Sequence, residues 1–159
     1  MSNYEVWTLV VQVAVALAAF FSVYLVIRQI RILTEQLKAT QQASEAQSII
    51  SIVEFLQTSE ARDSREAVRG TLSTIHHDGW SETHAKHASL TCANYDVVAA
   101  LLRADLIKNK HIIIQNWAPS ILHCHHVLTP YIQKRRAQPG GDPKYWSNFD
   151  WLRDQCSNV

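Results

Sequence analysis

Eight histidines in a chain of 159 residues are the side chains best suited to hold a metal or move a proton, and they concentrate in two places. His123-Cys124-His125-His126 is a contiguous run. Taking about 100° per residue from Ile121, Cys124 and His125 flank the apolar stripe of a helix while His123 and His126 point to the opposite face, so one ion cannot collect all four. Cys124 then reads as a small core residue and the outer histidines as solvated surface. The second group belongs to a hairpin, where His76 and His77 end one helix and His84 and His87 open the next across Asp78-Gly79-Trp80-Ser81. His84 and His87 share a face at i, i+3, and a histidine of the preceding helix with Asp78 would complete an N/O site for a transition ion such as zinc. The competing reading places His76 and His77 at a helix C-terminus for its dipole, and with it no cofactor is expected.

One further pair bears on phosphate chemistry. Arg69 is followed after six residues by His76, a spacing that resembles helical ribonucleases of the higher-eukaryote-and-prokaryote nucleotide-binding kind. That resemblance implies the histidine in acid-base work and the arginine on the charged phosphate of a membrane-anchored nuclease. Gly70 stands where those enzymes usually carry a polar residue, and the competing reading leaves both side chains as surface. The chain has no phosphate-binding Gly-rich loop, no Gly-x-Ser-x-Gly and no paired cysteines spaced for zinc. Lys plus Arg is 15 against 14 Asp plus Glu, a net charge of +1, which supplies no general field for a nucleic-acid partner.

The elements that must position these groups begin with an apolar run. From Val6 to Ile27 the polar side chains are Thr8, Gln12, Ser22 and Tyr24 beside the Trp7 indole, and about 33 Å of helix results, enough for a hydrocarbon core of about 30 Å. Tyr4, Trp7 and Tyr24 fall at headgroup depth. Residues 1–5 lack Lys and Arg, whereas Arg28, Arg31 and Lys38 follow the span, so the positive-inside bias predicts an outer N-terminus and a cytoplasmic remainder. A cleaved signal peptide would start basic and carry a shorter apolar run, and neither is present despite Ala16-Leu17-Ala18. Ala14, Ala18 and Ser22 form a ridge of small residues against which another helix can pack, with Gln12 placed to hydrogen-bond across the contact. The alternative is an ordinary Ala-rich span with Gln12 at the outer interface.

Residues 28–48 continue as a helical stalk, because Ile30, Leu33 and Leu37 extend the stripe and no Gly or Pro occurs before Gly70. A soluble helical domain follows over 49–159. Ile49, Ile52, Val53 and Leu56 mark its first core helix, and a second runs from about 60 to 77 with Val68, Leu72 and Ile75 inward. Leu90, Ala93, Val97 and Leu101 mark a third from about 82 to 104. The longest covers about 109–136 with Ile113, Trp117, Ile121, Leu128 and Ile132 on one face, and Pro119 and Pro130 predict a break or kink near Trp117 and near Leu128. Pro139-Gly140-Gly141-Asp142-Pro143 is a loop. A short final helix carries Tyr145, Phe149 and Leu152. The fold class is therefore all-α: one transmembrane helix continuing into a stalk, then a small cytoplasmic bundle. Cys92, Cys124 and Cys156, odd in number and scattered, fit reduced thiols.

The second half also resembles a group of short bacterial proteins described as domain of unknown function 4760. The residues that carry this are Tyr95-Asp96-Val97-Val98, Leu101-Leu102-Arg103, Leu106-Ile107, Trp117, Leu128-Thr129-Pro130-Tyr131-Ile132, Arg135-Arg136, Tyr145 and Phe149, over roughly residues 50–155. The resemblance implies an N-terminal membrane helix joined to a helical cytoplasmic domain and names no activity. Tyr145, Trp146 and Trp151 form an aromatic tail that reads as a lid on the bundle or, alternatively, as a partner surface. These features together predict a membrane-tethered interaction or regulatory module in the bacterial inner membrane. Its partners are the bilayer and other membrane subunits or a second copy.

Overall fold

The computed structural model describes residues 3–158, with the side chain of Glu5 outside that description. The first two residues of the expected external segment and the last residue of the expected domain therefore lie outside it. The described residues form five helices: α1 (Asn3–Gln57), α2 (Ser59–Ala67), α3 (Glu82–Arg103), α4 (Lys110–Ala137) and α5 (Ser147–Ser157). A π-helical turn, Val68–Leu72, follows α2, and a 3-10 turn, His77–Gly79, precedes α3. No strand occurs among the described residues. The chain divides into two compact units, residues 1–44 and 45–159.

The first unit is the N-terminal stretch of α1. Among the described residues α1 is the one helix long and apolar enough to cross a membrane, and none of its most apolar stretch is buried. Thr8 and Ser22 donate their hydroxyls to the carbonyls of Tyr4 and Ala18, both at 2.9 Å, so these polar groups are satisfied inside the helix, as an apolar solvent demands.

In the second unit, Ile52 and Leu56 of α1 are buried, with Ile49 and Val53 packed against the core. The expected second helix is shorter than its sequence range. After the π turn, Ser73 Oγ donates to the carbonyls of Gly70 and Arg69, and Thr74 Oγ1 to that of Thr71. Hydroxyls that occupy these carbonyls compete with the helical ladder. His76 is extended, and the Trp80 indole N–H caps the Ile75 carbonyl at 3.0 Å. Ile75 is consequently exposed rather than inward.

Ser81 starts α3 with a capping box whose third helical residue is His84: the Ser81 hydroxyl accepts from the His84 N–H, and the His84 imidazole accepts from the Ser81 N–H. The buried face of α3 is Ala88, Thr91, Cys92, Tyr95, Val98, Ala99 and Leu102. It replaces the predicted stripe, since Val97 is 51% and Leu101 37% exposed. Helix α4 runs unbroken through Pro119 and Pro130, so the breaks expected near Trp117 and Leu128 do not form. Each proline removes one ladder bond, while Ile113, Ile114, Ile121, Cys124, Leu128 and Ile132 hold the helix against the core on both sides. Tyr145 lies outside α5, and the buried residues of that helix are Phe149, Leu152 and Cys156.

Helix α5 begins at Trp146, which has φ 57° and no side-chain cap of its own. The cap comes from α3: the Asp96 carboxylate accepts the N–H groups of Asn148 at 2.9 Å and Phe149 at 3.1 Å. A carboxylate at this end satisfies two orphan donors and meets the positive pole of the helix. Phe149 then stacks on Tyr95 at 5.2 Å between centroids, which fixes α5 over α3.

Candidate functional site

Three places in the second unit gather groups with chemical capacity. The first is an open cleft of about 590 Å³ between the α2 segment and α4. Helix α2 contributes Arg62, Arg65 and Glu66, and the π turn contributes Arg69 and Gly70. The facing wall is Pro119 and His123 of α4. Positions 62, 65, 66 and 69 recur at three and four residues, which is why they share one face. Arg65 is unusual for a surface cleft: it is 6% exposed, its guanidinium carbon lies 4.8 Å from the centre of the Trp117 ring, and its Nη1 has no hydrogen-bond partner among the described residues.

Behind this wall, Tyr95 and Ser120 share a hydrogen bond of 2.9 Å. Burial raises the Tyr95 phenol, and the nearby cations Arg65 and Arg69 oppose that rise. Burial likewise pushes the Cys124 thiol up to about 11, against the same two arginines. The positive field of the cleft thus reaches the core, and the groups it reaches remain neutral.

The second place is the turn before α3. One donor each from His76, His77 and Asp78 lies within 4.8 Å of the others. Asp78 is already engaged by the Lys134 ammonium at 3.0 Å, and that contact is the main reason its carboxyl is held below its usual range. His84 and His87 do not join the three. One nitrogen of His84 serves the capping box, and His87 Nδ1 lies 3.3 Å from Ser64 Oγ. The hairpin places the four histidines on neighbouring segments without turning their rings to one point, because the chain is extended at His76 instead of helical.

The third place is a network under α5. His125 Nε2 is 2.8 Å from one oxygen of Asp150, and Arg136 Nη2 is 2.6 Å from the other. Burial lowers His125, outweighing the hydrogen bond to Asp150. For Asp150, burial works upward, but His125 and Arg136 together hold it low. Both shifts describe a neutral imidazole donating to a carboxylate. Cys124 and His125 are buried and His123 and His126 exposed, as helical geometry requires for residues on opposite faces.

Arg69 shares its cleft with His123, whereas His76 belongs to the turn with Asp78, where its Nδ1 is 3.5 Å from the carboxylate. In the aromatic tail, Trp146 is 6% exposed and packs between Tyr131 and Tyr145. Trp151 is half-buried, and Tyr145 is the exposed ring of the three. Sequence reasoning passed over Arg62, Arg65 and His123 as a group. The regular spacing of the arginines was available to it, but the approach of His123 comes only from packing α4 against α2 and the π turn.

Among the described residues, the fold and these sites define an all-α protein with one helix capable of crossing a membrane and a helical domain bearing an arginine-lined cleft. The chain belongs to the family described as domain of unknown function (DUF4760), which matches residues 9–156. The match reaches beyond residues 50–155 into the apolar part of α1, so that stretch is part of the family pattern. No curated protein and no solved structure matches the chain.

Proposed function

We propose that this protein is a membrane-tethered interaction and regulatory module, an accessory subunit or self-associating scaffold of a membrane complex without catalysis of its own. The observation that carries the reading is the N-terminal helix, apolar over a bilayer-spanning length and with none of that stretch buried. Such a surface needs lipid or another helix around it. The charge asymmetry of its flanks favours an outer N-terminus and a cytoplasmic domain, and the resemblance to short bacterial proteins favours the bacterial inner membrane as the place.

The ridge Ala14, Ala18 and Ser22 supports association within the bilayer. Because the Ser22 hydroxyl is bonded to the Ala18 carbonyl, the ridge presents small groups and no unsatisfied donor, which lets a second backbone approach closely. Crosslinking and native mass spectrometry in mild detergent test the reading. A dimer or a co-purifying membrane subunit is expected, and Ala18→Leu should reduce it. A strictly monomeric chain without a partner would overturn it.

A further inference from the structure

We propose that the arginine-lined cleft is a binding site for a phosphate group carried by a small molecule or a lipid headgroup. Arg62, Arg65 and Arg69 line the same space as one carboxylate, Glu66, and the Asp63 carboxylate, 3.9 Å from Arg62 with both side chains exposed, is too distant and too well solvated to cancel that cation. The surplus of two positive charges matches a phosphomonoester or pyrophosphate dianion better than a carboxylate, which would leave one cation unanswered.

Arg65 gives the second and independent reason. A buried cation is costly unless its charge and its donors are answered. The Trp117 ring answers part of the charge through its face. It accepts no conventional hydrogen bond, and Nη1, itself closed to solvent, has no partner among the described residues. The Trp117 contact and the near-complete burial fix the guanidinium in one orientation, so little side-chain freedom is lost when an anion arrives.

The remaining residues shape the space. A Cβ added at Gly70 would meet nothing within 4 Å, which keeps that side of the cleft open. Arg69 and Gly70 belong to the π turn Val68–Leu72, a feature often found at functional sites. His123 completes the rim from α4. About 590 Å³ is more room than one phosphate needs, so the anion is one end of a larger ligand.

The site stands on the second unit alone and does not depend on the membrane reading. Its test uses the full chain in nanodiscs, with calorimetric titration of inorganic phosphate and pyrophosphate into discs of phosphatidylcholine. A second arm compares cleft occupancy, read from protection of Arg69 against an arginine-selective reagent, in discs with and without phosphatidate. Saturable binding of pyrophosphate, weakened by at least about tenfold in Arg69→Gln and abolished in Gly70→Glu, is expected if the ligand is soluble. Protection by phosphatidate, lost in Gly70→Glu, is expected if it is a lipid. Arg69 is exposed, so its variant keeps the fold and the test stands even where Gly70→Glu does not fold. The proposal is overturned if neither arm shows binding, or if binding is the same in Arg69→Gln as in the parent chain.

Discussion

His125 and Asp150 show how two lowered pKa values act together on stability. Burial holds His125 below the ordinary imidazole value of 6.5, so the folded chain binds fewer protons there than the unfolded one. Stability is then complete above about pH 6.5 and declines as the pH falls through the lower folded value. Asp150, held below the ordinary carboxyl value of 3.8, has the same sign: its contribution is present above that pH and is lost further into acid. Denaturant titrations at successive pH values should show stability rising from about pH 5 to 7. His125→Gln, which keeps a donor for Asp150 and removes the titration, should flatten that rise. An unchanged slope in the variant would remove His125 as its cause. Arg65 teaches a different lesson at this scale. Its type and its spacing from Arg62 and Arg69 are visible in the sequence, but its burial depends on Trp117, 52 positions along the chain.

At the scale of the element, the start of α5 depends on a residue of α3. Asp96→Ala leaves the N–H groups of Asn148 and Phe149 without their acceptor. A loss of about 1–2 kcal/mol in unfolding free energy follows. Serine in its place is too short to reach both donors and should recover little. Equilibrium denaturation of both variants checks this, and a change below about 0.5 kcal/mol would show that α5 is held by Phe149 packing alone. The helices themselves were largely legible. The Asp78-Gly79-Trp80-Ser81 turn precedes α3, the Pro139–Pro143 loop follows α4, and the apolar run of α1 has no breaker. The inward face of α3 was not legible, because Val97 and Leu101 repeat as regularly as Tyr95, Val98 and Leu102. What decides between the two stripes is the Tyr95–Phe149 stack and the Asp96 cap, both made with α5. The end of the second helix was hidden for a related reason: Ser73 and Thr74 terminate it by bonding to carbonyls, while their sequence positions also suit a helix interior.

Taken as a whole, the molecule joins an apolar helix to a domain whose three cysteines are all free and all buried. Burial pushes Cys124 and Cys156 up to about 11 and raises Cys92 as well. Thiol reagents attack the thiolate, so the native chain is chemically quiet toward them. It can therefore serve as its own cysteine-free background: one engineered thiol at a time would report where that point of the chain lies, with no need to remove the native three. Under the proposed orientation, a membrane-impermeant maleimide should label Asn3→Cys in intact cells and Lys38→Cys only after permeabilisation, and the reverse pattern would invert the topology. The same silence lets a pair of probes placed along Ala14, Ala18 and Ser22 map which side of the helix meets a neighbour, read from a protein whose core was packed for other reasons.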